Sequence, residues 1–146
     1  MKTPKSSEDL IQEIFLCADL TEKLGDLRIR QLLMLLPKVS DEIVVESVIK
    51  VFNNKDRNET LYLDQLYAGK ILTNVNPKSE LDFKSILNMV LENWNKSIRD
   101  MPLWLFNTYK KDDLNNMLLS IVNNPFESNE RRDKAETMMW WIKSFK

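Results

Sequence analysis

Apolar side chains return every third or fourth residue along almost the whole chain, and no stretch of five or more residues alternates cleanly between apolar and polar. That spacing fits the roughly 3.6-residue turn of an α-helix and not the two-residue period of a strand, so it predicts helix throughout. Only two glycines and five prolines punctuate the 146 residues, so few turns are demanded. The expected class is therefore all-α. The length suits one domain over residues 1–146, enough chain to bury about two-thirds of its unfolded surface in a single core.

The punctuation divides the pattern into about eight helices, at 7–23, 26–36, 41–53, 57–75, 80–94, 100–110, 112–122 and 129–145. Ser6 or Ser7 caps the first, with Glu8 and Asp9 in its first turn, and Gly25 closes it. The second carries the run Leu32-Leu33-Met34-Leu35-Leu36, apolar around much of the helix and expected to be enclosed on several sides, before Pro37 stops it. The third, after Ser40, puts Val44, Val45, Val48, Ile49 and Phe52 on one stripe and Glu42, Glu46, Lys50 and Asn53 on the other. In the fourth, Gly69 marks a place for close helix approach. The fifth, after Ser79, has the clearest stripe, from Phe83 through Ile86, Leu87, Val90 and Leu91 to Trp94. A proline in mid-helix costs about 3 kcal/mol, so Pro102 must lie in a first turn, which makes Asp100 the expected N-cap of the sixth. The last helix turns Ala135, Met138, Met139, Ile142 and Phe145 inward.

Two stretches resemble each other. Pro37-Lys38-Val39-Ser40-Asp41-Glu42 leads to Ser47-Val48-Ile49, and Pro77-Lys78-Ser79-Glu80 leads to Ser85-Ile86-Leu87, at offsets of 40, 39 and 38 residues. Each reads as a helix end, a proline, a capping serine with an acidic follower, and an amphipathic helix, and the period falls among helical-hairpin repeats. From residue 27 to 94 the chain thus resembles HEAT-like (armadillo-type) repeats. The Asn93-Trp94-Asn95-Lys96-Ser97-Ile98, Met101-Pro102-Leu103-Trp104-Leu105 and Met138-Met139-Trp140-Trp141-Ile142 segments are similar to the tail of bacterial HEAT-repeat proteins of unassigned role. The resemblance implies antiparallel helix pairs, four from eight helices, stacked as a short α-α superhelix in which each pair leans on the next. An irregular helical bundle would use the same signals.

Charge and residue types restrict the chemistry. Lys and Arg number 21 against 22 acidic residues, a balance without broad attraction for nucleic acid or anionic lipid. The chain has no histidine, which removes Ser-His and Cys-His nucleophile pairs and histidine-containing metal sites. Gly25 and Gly69 stand too far apart for a glycine-rich phosphate loop. No catalytic residue, metal ligand or cofactor is expected. The single Cys17 falls on the apolar side of its helix and reads as a buried thiol in a reducing compartment. With no signal-peptide core after Met1 and no apolar run longer than Leu32 to Leu36, a cytoplasmic protein without a membrane span is the simplest expectation.

The carboxylate pairs Asp9 with Glu13 and Glu42 with Glu46 lie opposite their helices' apolar stripes, and read as solvated faces. Arg28 with Arg30, and Arg131 with Arg132 and Lys134, form small basic clusters diluted by Asp26, Glu130, Asp133 and Glu136. Placement of the four tryptophans, all in the last third, is more informative. Trp94 continues a core stripe. Trp140 and Trp141 are about 100° apart on their helix, so only one can face inward. Trp141 sits nearer the buried arc, which leaves Trp140 either packed on a neighbouring element or exposed as an anchor for a partner. The reading is a non-enzymatic protein- or peptide-binding scaffold, with Trp140, Trp104, Arg131 and Arg132 as candidate partner contacts and self-association left open. The alternative is a nucleic-acid-binding or glycosylase-like HEAT-fold protein with a tryptophan and carboxylate cleft, for which the chain looks short and insufficiently basic.

Overall fold

The computed structural model describes residues 1–146 and contains nine α-helices and no strand. They are α1 (Ser7–Asp19), α2 (Thr21–Leu24), α3 (Leu27–Leu35), α4 (Asp41–Asn53), α5 (Leu61–Val75), α6 (Phe83–Val90), α7 (Asp100–Thr108), α8 (Lys111–Val122) and α9 (Asn129–Ser144). The all-α class is as the periodicity predicts. Side-by-side packing runs from α1 to α4 to α6 in one rank, and from α3 to α5 to α7 to α9 in a second. Within pairs, α1 packs on α3, α4 on α5 and α8 on α9, so chain neighbours alternate between the two ranks. No helix is long and apolar enough to cross a membrane.

Caps set most of the boundaries. The hydroxyl oxygens of Ser6, Ser40 and Ser128 accept from the amides of Asp9, Ile43 and Arg131, at 3.1, 3.4 and 3.1 Å. Each such cap contributes about 1 kcal/mol. α4 matches its expected span, and its apolar stripe is buried throughout. The first expected helix is instead two, because the chain tightens at Leu20 before the short α2, which ends at Gly25 in the left-handed region (φ +57°).

Other expectations are corrected by neighbouring elements. The leucine-rich run is not enclosed on several sides: Leu32 and Leu36 are fully buried, but Met34 is 79% exposed, because α3 flanks one end of its rank and α1 and α5 cover only one face. The expected 80–94 helix shrinks to Phe83–Val90. Ser79 cannot cap it, since its hydroxyl oxygen accepts from Leu81 N–H (3.2 Å) and lies 3.2 Å from the Tyr109 hydroxyl, and Asp82 caps instead, accepting from Lys84 N–H. The apolar stripe of α6 nevertheless stays inward through Leu91 and Trp94, in the turn that follows. Asp100 is not the N-cap of α7 but its first residue. Its carboxylate accepts from Thr73 Oγ1 on α5 at 2.5 Å, and Pro102 falls in the first turn as its missing N–H requires.

The core is one cluster of 35 buried residues reaching from Leu10 to Phe145. Polar groups inside it join elements. Ser47 donates to Ile43 O (2.7 Å), with Ser7 O at the start of α1 a longer second acceptor of the same proton (3.2 Å), whereas its repeat counterpart Ser85 is exposed. Gln65, fully buried, donates to Asn93 O (2.8 Å) and accepts from Asn95 N–H (2.7 Å), holding the turn after α6 against α5. Gly69 marks the close approach expected of it: a Cβ there would lie 2.9 Å from Asp100 Cβ.

Candidate functional site

The four residues singled out from the sequence do not converge. Trp104 is 2% exposed, donates its ring N–H to Pro77 O (2.9 Å) and meets Tyr109 edge-on, so it is a core residue and not a partner contact. Arg131 is held by Glu127 (2.6 Å) and Asn88 (3.1 Å), so its guanidinium is already paired, whereas Arg132 reaches only the neutral side chain of Asn129. Trp140, in contrast, is 63% exposed and edge-on to Trp141, whose ring N–H donates to Lys96 O at 2.8 Å. It lies nine residues beyond Arg131 on α9, about 13 Å of helix rise, too far for one contact patch.

Nor does a tryptophan and carboxylate cleft form. The buried carboxylate is Asp64, and it is spoken for: Arg57 donates to both its oxygens (3.0 and 3.2 Å) and Thr60 to one of them. Arg57 also pairs with Asp19 (2.7 Å) and lies over the Phe15 ring (4.2 Å), so this network locks the linker before α5 onto α1. Burial pushes the Asp64 carboxyl above its ordinary value, with the Arg57 hydrogen bonds working against that rise. Burial likewise pushes the Cys17 thiol up to about 12. No three His, Cys, Asp or Glu side chains gather in a metal-binding arrangement.

An open groove of about 850 Å³ lies between α4, the 78–81 segment and α6. Its apolar lining is Val45 and Ile49 from α4, Leu81 from the segment and Met89 from α6. Around these stand Asp41, Glu42, Glu46 and Glu80, against Lys50 and Lys78. Lys50 pairs with Glu46 at 3.0 Å, while Glu42 and Glu80 have no ion-pair partner. Asp41 accepts the main-chain N–H of Lys78 (3.0 Å), which closes one end of the groove.

The groove wall is fixed. Tyr109 donates to Leu81 O (2.7 Å), its hydroxyl oxygen lies 3.2 Å from Ser79 Oγ, and Leu81 N–H donates to that Ser79 oxygen. Leu81 is consequently presented 49% exposed on a pinned backbone. Reasoning from periodicity missed this site, since it assigned Glu42 and Glu46 to a solvated face. A usable signal lay in the repeat, because Asp41 and Glu42 come from its first copy and Lys78, Ser79 and Glu80 from its second.

Comparison of the chain with protein-family models, with curated proteins and with solved structures finds no match.

Proposed function

We propose that the chain is a protein- or peptide-binding module, a short HEAT-like stack of helix pairs that uses the groove between α4 and α6 to hold a segment of a partner polypeptide. The observation that carries this reading is the groove itself, an apolar lining with a pinned, half-exposed leucine on its wall and charged residues around it. Such a site has the anatomy of a recognition surface, with an apolar centre, a polar rim and little ordering left to do on binding. The two ranks of side-by-side helices support the stacked-pair reading. A cytoplasmic setting accords with the lone, buried Cys17 thiol. Trp140 provides a second exposed contact, for a partner or another copy of the chain.

The test is site-specific photo-crosslinking in cells expressing the chain, with benzoylphenylalanine in place of Leu81, of Trp140, or of the exposed control Lys23 on α2. The reading expects a light-dependent adduct of discrete mass from position 81 and none from position 23. Equal labelling at both, or none at 81, refutes it, and an adduct from position 140 alone moves the binding surface to α9.

A further inference from the structure

We infer that the occupant of the α4/α6 groove is a cationic amphipathic peptide segment, one or two large aliphatic side chains flanked by lysine or arginine. This rests on the binding-module reading and adds the chemistry of the partner.

Charge is the first ground. Four carboxylates meet two ammonium groups around the groove, in a chain whose overall charge is only −1, so acid is concentrated here relative to the molecule. Lys50 is occupied by Glu46, which leaves Glu42 and Glu80 on opposite walls against one unpaired ammonium, that of Lys78. The N-terminus of α4, worth roughly half a positive charge, offsets part of Asp41 and Glu42 but does not reach the later turns or the facing wall. An anionic segment would be repelled along most of the groove; a cationic one would be attracted and steered to it.

Shape is the second ground. Val45 and Ile49 are one turn apart on α4, giving a floor about 6 Å long between them, and Leu81 and Met89 face them across the groove. The full stretch from Asp41 to Lys50 spans about 13 Å, the length of about four extended residues or two and a half helical turns. That accommodates one or two aliphatic anchors with charged neighbours, and not a folded domain. Because Tyr109 and Asp41 fix the 78–81 wall, the leucine it presents is already ordered before the peptide arrives.

The experiment is fluorescence anisotropy with three labelled twelve-residue peptides of one design: leucine at two positions four apart with lysine elsewhere on the same face, the same peptide with glutamate for lysine, and the same with serine for leucine. The cationic leucine peptide should bind saturably and at least about tenfold, or about 1.4 kcal/mol, more tightly than either control. Charge reversal by Glu42→Lys with Glu80→Lys should weaken it by a similar factor, as should Leu81→Ser, and raised salt should weaken it further. All three are exposed positions, and thermal melts of the variants verify that each remains folded. Equal binding of the cationic and anionic peptides, no saturable binding of the cationic one, or indifference of folded variants overturns the proposal. A crosslink from position 81 together with failed cationic binding would retain the module and reject this partner chemistry.

Discussion

Gly69→Ala probes the close approach of α5 to α7. In an exposed helix interior the change would stabilise by about 1 kcal/mol, because alanine costs less backbone entropy. Here the new methyl carbon would stand 2.9 Å from both Cβ and Oδ2 of Asp100, and 3.2 Å from its Cγ. The carboxylate is held by Thr73 Oγ1 at 2.5 Å, and the Cβ is fixed to the first turn of α7, so relief requires α5 and α7 to separate by several tenths of an ångström. Overpacking of this kind costs about 1–3 kcal/mol, and subtracting the propensity gain leaves a net loss of up to about 2 kcal/mol. In a chain of this length that lowers the melting midpoint by up to roughly 8 °C. Urea unfolding followed by tryptophan fluorescence would measure it, Trp94 and Trp104 both being buried. Asp100→Ala keeps the offending Cβ and should rescue Gly69→Ala only in part, whereas Asp100→Gly removes it and should turn the substitution at 69 neutral or stabilising. A Gly69→Ala protein that is more stable in the wild-type background refutes the steric argument.

Three further outcomes follow from the buried polar groups. Gln65→Ala leaves Asn93 C=O and Asn95 N–H without their partners and should cost about 2–4 kcal/mol in the same unfolding assay, with faster amide exchange confined at first to the turn after α6. Because burial raises the folded-state pKa of Asp64, the folded protein binds its proton more readily than the unfolded chain does, so this group stabilises increasingly as pH falls from neutrality toward the ordinary value of 3.8. The stability of wild type minus that of Asp64→Asn should therefore grow over that interval; a difference that shrinks would mean that Arg57 outweighs burial. Cys17, raised to about 12, should be inert to a thiol-specific chromogenic reagent in the native protein at mildly alkaline pH and react fully in denaturant, and prompt native labelling would contradict its burial.

Much of the fold is legible in the sequence because periodicity reports directly which face of a helix turns inward. α4 emerges with its expected ends because the stripe, the Ser40 cap and the acidic first turn all agree. The expectations that miss do so where a neighbouring element competes for the same atom or fails to arrive. Ser79 has the right spacing to cap α6, yet its oxygen goes to Leu81 and Tyr109, and Tyr109 lies thirty residues further along the chain. Met34 belongs to an apolar run, yet no helix covers its side of α3. Trp104 reads from the sequence as a candidate partner contact, and is a core residue because Pro77 O lies within reach of its ring N–H.

The groove illustrates why a site of this kind is harder to read than the core beneath it. Burial of Val45 and Ile49 follows from one helix's own pattern, but whether Glu42 and Glu46 beside them face open water or the rim of a concavity depends on where a second wall stands. That wall exists because three long-range contacts agree on one position for the 78–81 segment: Asp41 takes the Lys78 amide, Tyr109 takes the Leu81 carbonyl, and Trp104 takes the Pro77 carbonyl. The sequence encodes each acceptor and donor separately, with nothing local to show that they meet. Once they do, Glu42 in the first turn of α4 and Glu80 on the 78–81 segment stand on opposite sides of one apolar strip. The periodicity of α4 alone places Glu42 and Glu46 on a solvated face, and both are exposed; the packing of α4 on α6 adds Glu80 across from them and makes one electrostatic surface.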